Sequence, residues 1–307
     1  VRRLLADKRA PEADRILSNT LKERGYEPKI ARPLPLGDMK FIMPGRTAFK
    51  NYRRVLNMEN GEITVSWDDG PTRFTRQLFV SRQDDAVVCR LHALGPDLLD
   101  GVFWLALHDL ADARTPDDRK STLPQGAETK VDGNFVYYAA SKDDGTDFGA
   151  VAHVRMPEGG HSEPRSDALG FSGARRVEVV VKVFVDDERT AAWQRLRGQL
   201  EALAGNYEEM LHQHAELHGR IYKAMQLDLH ADGRERSNEQ LMLEAYNGEA
   251  PLALIEKMWA YGRYLLISSS REGGNPCPLM GLWCGEYTGF WAFNMANENW
   301  QMIYWQA

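Results

Sequence analysis

The apolar residues of this 307-residue chain change period at Asp186-Asp187, and that change limits the fold more than any other feature. From about Pro33 up to it the pattern is two: Ile63, Val65 and Trp67 alternate with Glu62, Thr64 and Ser66, as in a strand with one buried face. After it Trp193, Leu196, Leu200, Leu203, Tyr207 and Leu211 recur at steps of three and four, one stripe of an amphipathic helix. Strands followed by helices, rather than alternating with them, specify segregated β and α parts.

Within the β half, Asp69-Gly70-Pro71 separates the alternating run from residues 73–81. Asp-Gly at such a place signals a hairpin, because glycine accepts the positive φ of tight turns. Further strands are expected at 86–91, 101–108, 134–140, 149–155 and 176–185, with Asp132-Gly133 and Asp144-Gly145 as two more turns. A mostly antiparallel sandwich follows. The tract 156–173, rich in Gly, Ser and Pro, reads as a surface excursion. Ahead of the strands, Leu4, Leu5, Ala13, Ile16, Leu17 and Leu21 predict a helix over 1–30, interrupted at Gly25.

In the helical half the stripe from Trp193 to Leu211 predicts one long linking helix, continued by Leu217, Ile221 and Met225. Asn238 is placed to cap the next helix. Residues 252–267 form a third, too apolar to stand alone on a surface.

With 43% hydrophobic and 27% charged residues the chain has a globular composition, and a formal charge of −6 lacks the basic footprint of a nucleic-acid binder. Three cysteines, none in a Cys-x-x-Cys pair, provide no disulfide framework. No apolar run reaches the roughly eighteen residues of a membrane-spanning helix, so no membrane span is expected. Val1-Arg2-Arg3 reads as the interior of a longer protein.

His212, His214 and His218 resemble a metal cluster, since the last two share a helix face, but no His-Glu-x-x-His pattern accompanies them and no metal is expected. Gly159-Gly160 and Gly273-Gly274 lack the spacing of a phosphate loop, and no cofactor is expected. Residues 283–305 concentrate Trp283, Tyr287, Phe290, Trp291, Phe293, Trp300, Tyr304 and Trp305 beside Glu286, Asn294, Asn297, Glu298, Asn299 and Gln301. Aromatic faces suit the C–H faces of a pyranose and uncharged amides suit its hydroxyls. The same residues suit a helical core with capped turns, and composition leaves both readings open.

Three ordered segments carry a resemblance. Tyr261-Gly262-Arg263-Tyr264-Leu265-Leu266-Ile267-Ser268-Ser269-Ser270-Arg271, then Leu279-Met280-Gly281-Leu282-Trp283, then Asn297-Glu298-Asn299-Trp300-Gln301-Met302-Ile303-Tyr304-Trp305 together resemble the start of the catalytic domain of glycoside hydrolase family 95. Pro35-Leu36-Gly37-Asp38, Tyr52-Arg53-Arg54-Val55-Leu56 and residues 74–81 resemble that family's N-terminal β domain. The resemblance implies an α+β multidomain chain: an antiparallel β-sandwich domain over 1–188, a helical linker over 189–238, and the first helices of an (α/α)6 barrel over 239–307, with both ends of the family's length missing.

It also implies inverting hydrolysis of terminal α-L-fucosides, 1,2-linked, or of related α-L-galactosides, on an oligosaccharide or glycan partner. Asn297 and Asn299 match the family's two water-positioning amides. The general acid Glu and base Asp are expected beyond Ala307, so the 307 residues alone are expected to be inactive. Neither Glu286 nor Glu298 matches a catalytic position. Trp283 and Met295 are expected at the sugar; Met295 stands where many members carry His, and Cys284 where they carry Asn. Two other classes remain open: a degenerate carbohydrate-binding member without turnover, and a helical-barrel glycoside phosphorylase. An extracellular or periplasmic location fits the relatives.

Overall fold

The computed structural model describes residues 1–26, 34–45, 47–108, 123–142, 144–283, 285, 287 and 298–305. The predicted first helix is two, α1 (Arg2–Ala6) and α2 (Ala10–Glu23), because Lys8 turns the chain through a φ of +56° between them. At the end of α2, Gly25 has a φ of +78° and the Tyr26 N–H returns to the Leu21 carbonyl at 2.9 Å, a glycine-dependent helix stop.

Twelve strands follow: β1 (Asp38–Ile42), β2 (Lys50–Asn57), β3 (Glu62–Asp69), β4 (Thr72–Ser81), β5 (Ala86–Leu94), β6 (Leu99–Ala106), β7 (Gln125–Asp132), β8 (Phe135–Ser141), β9 (Asp147–Arg155), β10 (His161–Pro164), β11 (Leu169–Ala174) and β12 (Arg176–Asp187). They form a four-stranded sheet, β1-β6-β11-β10, and an eight-stranded sheet, β2-β3-β4-β5-β12-β9-β8-β7. Every pairing is antiparallel. The three Asp-Gly turns lie where the sequence puts them, with Gly70, Gly133 and Gly145 at φ of +61°, +58° and +81°.

The tract 156–173 is no excursion. It holds β10 and most of β11, an edge hairpin of the smaller sheet, whose short, half-polar strands carry too little alternation to stand out among Gly and Ser.

The central strands of the larger sheet are buried on both faces. On one side Leu91, Val136, Tyr138, Ala152, Val177 and Val179 meet Leu99, Phe103, Leu169 and Phe171 of the smaller sheet. On the other, Phe79, Val88, Tyr137, Val151 and Val180 meet Trp193, Leu196, Leu200, Tyr207 and Met210 of the following helices. That is why β8 and the middle of β12 read as unbroken apolar runs rather than as alternation.

The predicted linking helix is broken. α3 (Arg189–Ala202) and α4 (Tyr207–Tyr222) are separated by Leu203, extended at ψ 105°, and Gly205 at φ +104°. Asn206 and Glu209 then close a reciprocal capping box at 3.0 Å in each direction, while Arg155 of β9 donates to the Leu200 and Leu203 carbonyls at 3.2 and 3.1 Å. The apolar stripe survives the break because both helices lie on the same sheet, and that continuity hides the break in the sequence.

α5 (Asn238–Asn247) and α6 (Leu252–Ser269) pack on each other, and α6 also packs on α4. The cap of α5 is Ser237, boxed with Gln240; Asn238, the expected cap, is the first helical residue. A short α7 (Glu298–Met302) closes the described chain. The α+β fold class is as the sequence predicts: antiparallel sandwich first, helices after.

Candidate functional site

The three motif segments meet around Cys277. α6 ends at Ser269, whose Oγ lies 3.0 Å from the Leu266 carbonyl and 2.8 Å from Cys277 Sγ. The Cys277 N–H donates to the Tyr304 hydroxyl at 3.3 Å, which ties the turn after α7 to the chain leaving α6. Between them the indole of Trp283 folds back over Gly281, where a Cβ would stand 2.5 Å from ring carbons; with a φ of +60°, only glycine suits the position.

Asn299 lies in the first turn of α7, with its side chain exposed. Trp283 is 52% exposed, an aromatic surface beside the Cys277 junction. Asn297, Met295, Cys284 and Glu286 lie outside the described residues. Glu298, like Asn299, is exposed on α7.

Other members of the α6 segment hold the frame. Arg263 is buried, and its guanidinium donates to the Tyr222 and Ile221 carbonyls at 3.2 and 2.8 Å, capping the C-terminus of α4. Glu256 on the same helix accepts two 2.7 Å hydrogen bonds from Arg234 and one of 2.6 Å from the Leu229 N–H. The Arg234 guanidinium holds this carboxyl down to about 2, so it stays ionised at neutral pH and has no proton to give as a general acid.

The histidines of α4 are frame as well. His218 Nε2 donates to the Met58 carbonyl at 2.9 Å, and His214 Nδ1 accepts the Arg82 N–H at 3.2 Å with Phe79 stacked on its ring. Burial lowers both, His214 to about 4, with the His218 and Arg82 charges adding to the effect at His214. His212 is exposed beside Glu216. Among the described residues no group of three His, Cys, Asp or Glu side chains is arranged to hold a metal ion. Nor is any helix among them long and apolar enough to cross a membrane.

The sandwich reaches the same region along two lines. Arg82, in the turn after β4, donates to the Ile267 carbonyl, and Asp85 pairs with Arg271 at 2.7 Å. At another rim, Asp38 and His108 are 2.8 Å apart and Tyr287 lies against the imidazole. Nothing in the sequence assigns partners to Asp38, Tyr287 or Tyr304, since residues this far apart in the chain leave no periodic signal. Two depressions in the sandwich, about 90 and 290 Å³, include none of residues 261–305 and stand apart from this site.

The geometry sits within clear sequence likenesses. The sequence model of the glycosyl hydrolase family 95 catalytic domain matches residues 206–307, and that of the glycosyl hydrolase family 65 N-terminal domain matches residues 1–190. Alpha-L-fucosidase 2 of Arabidopsis thaliana is 23% identical over 284 residues, 84% of this chain and 34% of that protein. An Aspergillus niger protein provisionally named alpha-fucosidase A is 24% identical over 282 residues, 88% of this chain and 35% of that protein. The chain thus spans about a third of the length of the curated relatives it matches. A solved structure provisionally named a kojibiose phosphorylase, from the human microbiome, superposes with a TM-score of 0.53 at 11% identity, over 82% of this chain and 34% of that one, a likeness of fold. The fold order, the junction of the three motif segments and the two matched domains lead to one family: the chain belongs to glycoside hydrolase family 95.

Proposed function

We propose that the protein to which this chain belongs hydrolyses terminal α-L-fucosides, 1,2-linked, or related α-L-galactosides, with inversion, and that Asn297 and Asn299 position the attacking water. The observation that supports the reading is the meeting of the motif segments at Cys277, which Ser269 and Tyr304 both contact, with Trp283 and Asn299 each exposed. Two amide side chains can hold one water and aim its lone pair at the anomeric carbon, while a carboxylate that accepts one of its hydrogen bonds takes that proton as the new C–O bond forms and the glycosidic bond breaks. An inverting pair stands roughly 6.5–9.5 Å apart to admit that water. In this reading the Glu and Asp of such a pair lie beyond Ala307, and Glu256 is unsuited to either role while Arg234 holds it.

Under the same reading, residues 1–188 are a sandwich domain, 189–238 a linker, and 239–307 the opening of a helical barrel. Met242, Tyr246, Met258 and Tyr261 are exposed large apolar side chains on α5 and α6, as faces awaiting further helices would be. The 307 residues alone therefore have no turnover. The test is expression of the full reading frame with 2′-fucosyllactose and aryl α-L-fucosides and α-L-galactosides, following the anomer first released by proton NMR. Inversion yields the β-anomer, and Asn299→Ala lowers kcat by about a hundredfold or more. Unchanged turnover in that variant removes Asn299 from the mechanism, and turnover that requires phosphate replaces hydrolysis with phosphorolysis.

A further inference from the structure

The turn between β4 and β5 is rigid. Ser81 Oγ donates to Asp84 Oδ2 at 2.7 Å and accepts the Asp84 N–H at 3.1 Å, while Lys182 of β12 donates to the Asp84 carbonyl. From this turn the Arg82 guanidinium leaves the sandwich and donates to the Ile267 carbonyl in the last turn of α6. The last four carbonyls of a helix have no partner within it, and α6 has no basic side chain of its own in that turn. The Leu266 carbonyl receives the Ser269 and Ser270 hydroxyls at 3.0 and 3.1 Å; the Ile267 carbonyl receives Arg82, a cation at the negative end of the helix dipole. Arg271, beyond the helix, adds a like charge near Arg82, and Asp85 offsets it by pairing with Arg271 at 2.7 Å. The Arg82 N–H meanwhile donates to His214 of α4 at 3.2 Å, so one residue of the sandwich holds two helices.

From the end of α6 to α7 each step is a contact. Ser269, two residues past Ile267 in the same turn, has its Oγ 2.8 Å from Cys277 Sγ, and the Cys277 N–H donates to the Tyr304 hydroxyl at 3.3 Å. The Tyr304 N–H returns to the Gln301 carbonyl at 3.1 Å, inside α7 and two residues from Asn299. We infer that Arg82 is a positioning residue for the hydrolytic water: it fixes the end of α6 on the sandwich and, through Ser269, Cys277 and Tyr304, the helix that carries Asn299. The inference rests on the role proposed above for Asn299. Its consequence is specific, because a water holder displaced by about 1 Å costs up to about a hundredfold in rate, while sugar contacts made elsewhere keep substrate affinity.

The test uses the full-length protein with Arg82→Met, Arg82→Lys, Tyr304→Phe and the double variant Arg82→Met with Tyr304→Phe. Every variant keeps the main-chain hydrogen bond to His214, and lysine keeps a charged donor for the Ile267 carbonyl. Arg82→Met and Tyr304→Phe are expected to lower kcat about tenfold with KM within about twofold, and Arg82→Lys to recover most of the loss. Since both single changes break one line of contacts, the double variant loses no more than the larger single loss. Amide exchange reads the clamp without turnover: in Arg82→Met residues 265–280 and 298–305 exchange faster while β8, β9 and β12 stay protected. Unchanged exchange over 298–305 in that variant overturns the inference even if the wild type shows no turnover, an outcome that would itself count only against the proposed reaction. Additive losses in the double variant, equal losses in Arg82→Lys and Arg82→Met, or an unaltered kcat with faster exchange overturn the positioning role.

Discussion

Acid should loosen the hold of α4 on the sandwich through His214. Its ring is buried between Phe79 and His218, its Nδ1 accepts the Arg82 N–H, and a Cβ at Gly61 would stand 3.1 Å from its Nε2. A proton added at Nδ1 would face that amide N–H, and the charge would lie near Arg82 in a site with little water. Burial, then His218 and Arg82, lower the group from 6.5 to about 4. The unfolded chain therefore takes up this proton as pH falls below 6.5, while the folded chain refuses it until about 4. The associated stability is intact above pH 6.5 and is lost as pH falls through that window, at up to about 1.4 kcal/mol per pH unit. From 6.5 to 5 the ceiling is about 2 kcal/mol, and solvent relaxation around the ring reduces it to about 1 kcal/mol. For a chain of this size that is a fall in Tm of about 2–4 °C. Thermal unfolding at pH 7, 6 and 5, for the wild type and for His214→Gln, isolates the contribution, because glutamine can still accept from Arg82 but does not titrate. A wild-type Tm as flat as that of the variant, or an imidazole that titrates near 6.5 by NMR, refutes the reasoning.

Three further outcomes are expected. Gly149→Ala places a Cβ 2.0 Å from the Tyr138 carbonyl in the paired strand and 2.9 Å from Phe184, so β8 and β9 must separate; the cost is about 3 kcal/mol in urea unfolding. Arg263→Met removes the guanidinium donor from the Tyr222 and Ile221 carbonyls at the end of α4 and is expected to cost about 2 kcal/mol, with faster amide exchange confined at first to α4 and α6. Burial pushes the Cys89 thiol up to about 12, so iodoacetamide at pH 8 should leave it unmodified in the native protein and alkylate it in urea, read by peptide mass.

The β-to-α order and the hairpins were legible because both are local. Alternation such as Ile63-Thr64-Val65-Ser66-Trp67 needs only one buried face, and Asp-Gly turns need only glycine's freedom at positive φ. The break between α3 and α4 was not legible, since two helices on one sheet share an apolar stripe as one helix would. β10 and β11 were missed for the opposite reason: β10 is a short exposed edge strand, and β11, though buried at Leu169, Phe171 and Ala174, is only six residues long with two glycines and a serine among them, too little to impose a period. At the candidate site, order and spacing were enough to group three segments, but the meaning of their members differed. Arg263 belongs to the end of α4, and Glu256 to Arg234.

By itself, then, the sequence determined the class of fold, the place where strands give way to helices, and the family to which the C-terminal segments belong, all properties carried by short-range pattern. Only the tertiary structure decided which of those residues serve as frame and which face outward, and that Asp38, His108 and Tyr287 meet at one rim of the sandwich. Those contacts join positions up to about 250 residues apart. They depend on the register of β1 against β6 and on the space beside Gly37, neither of which has a period to read.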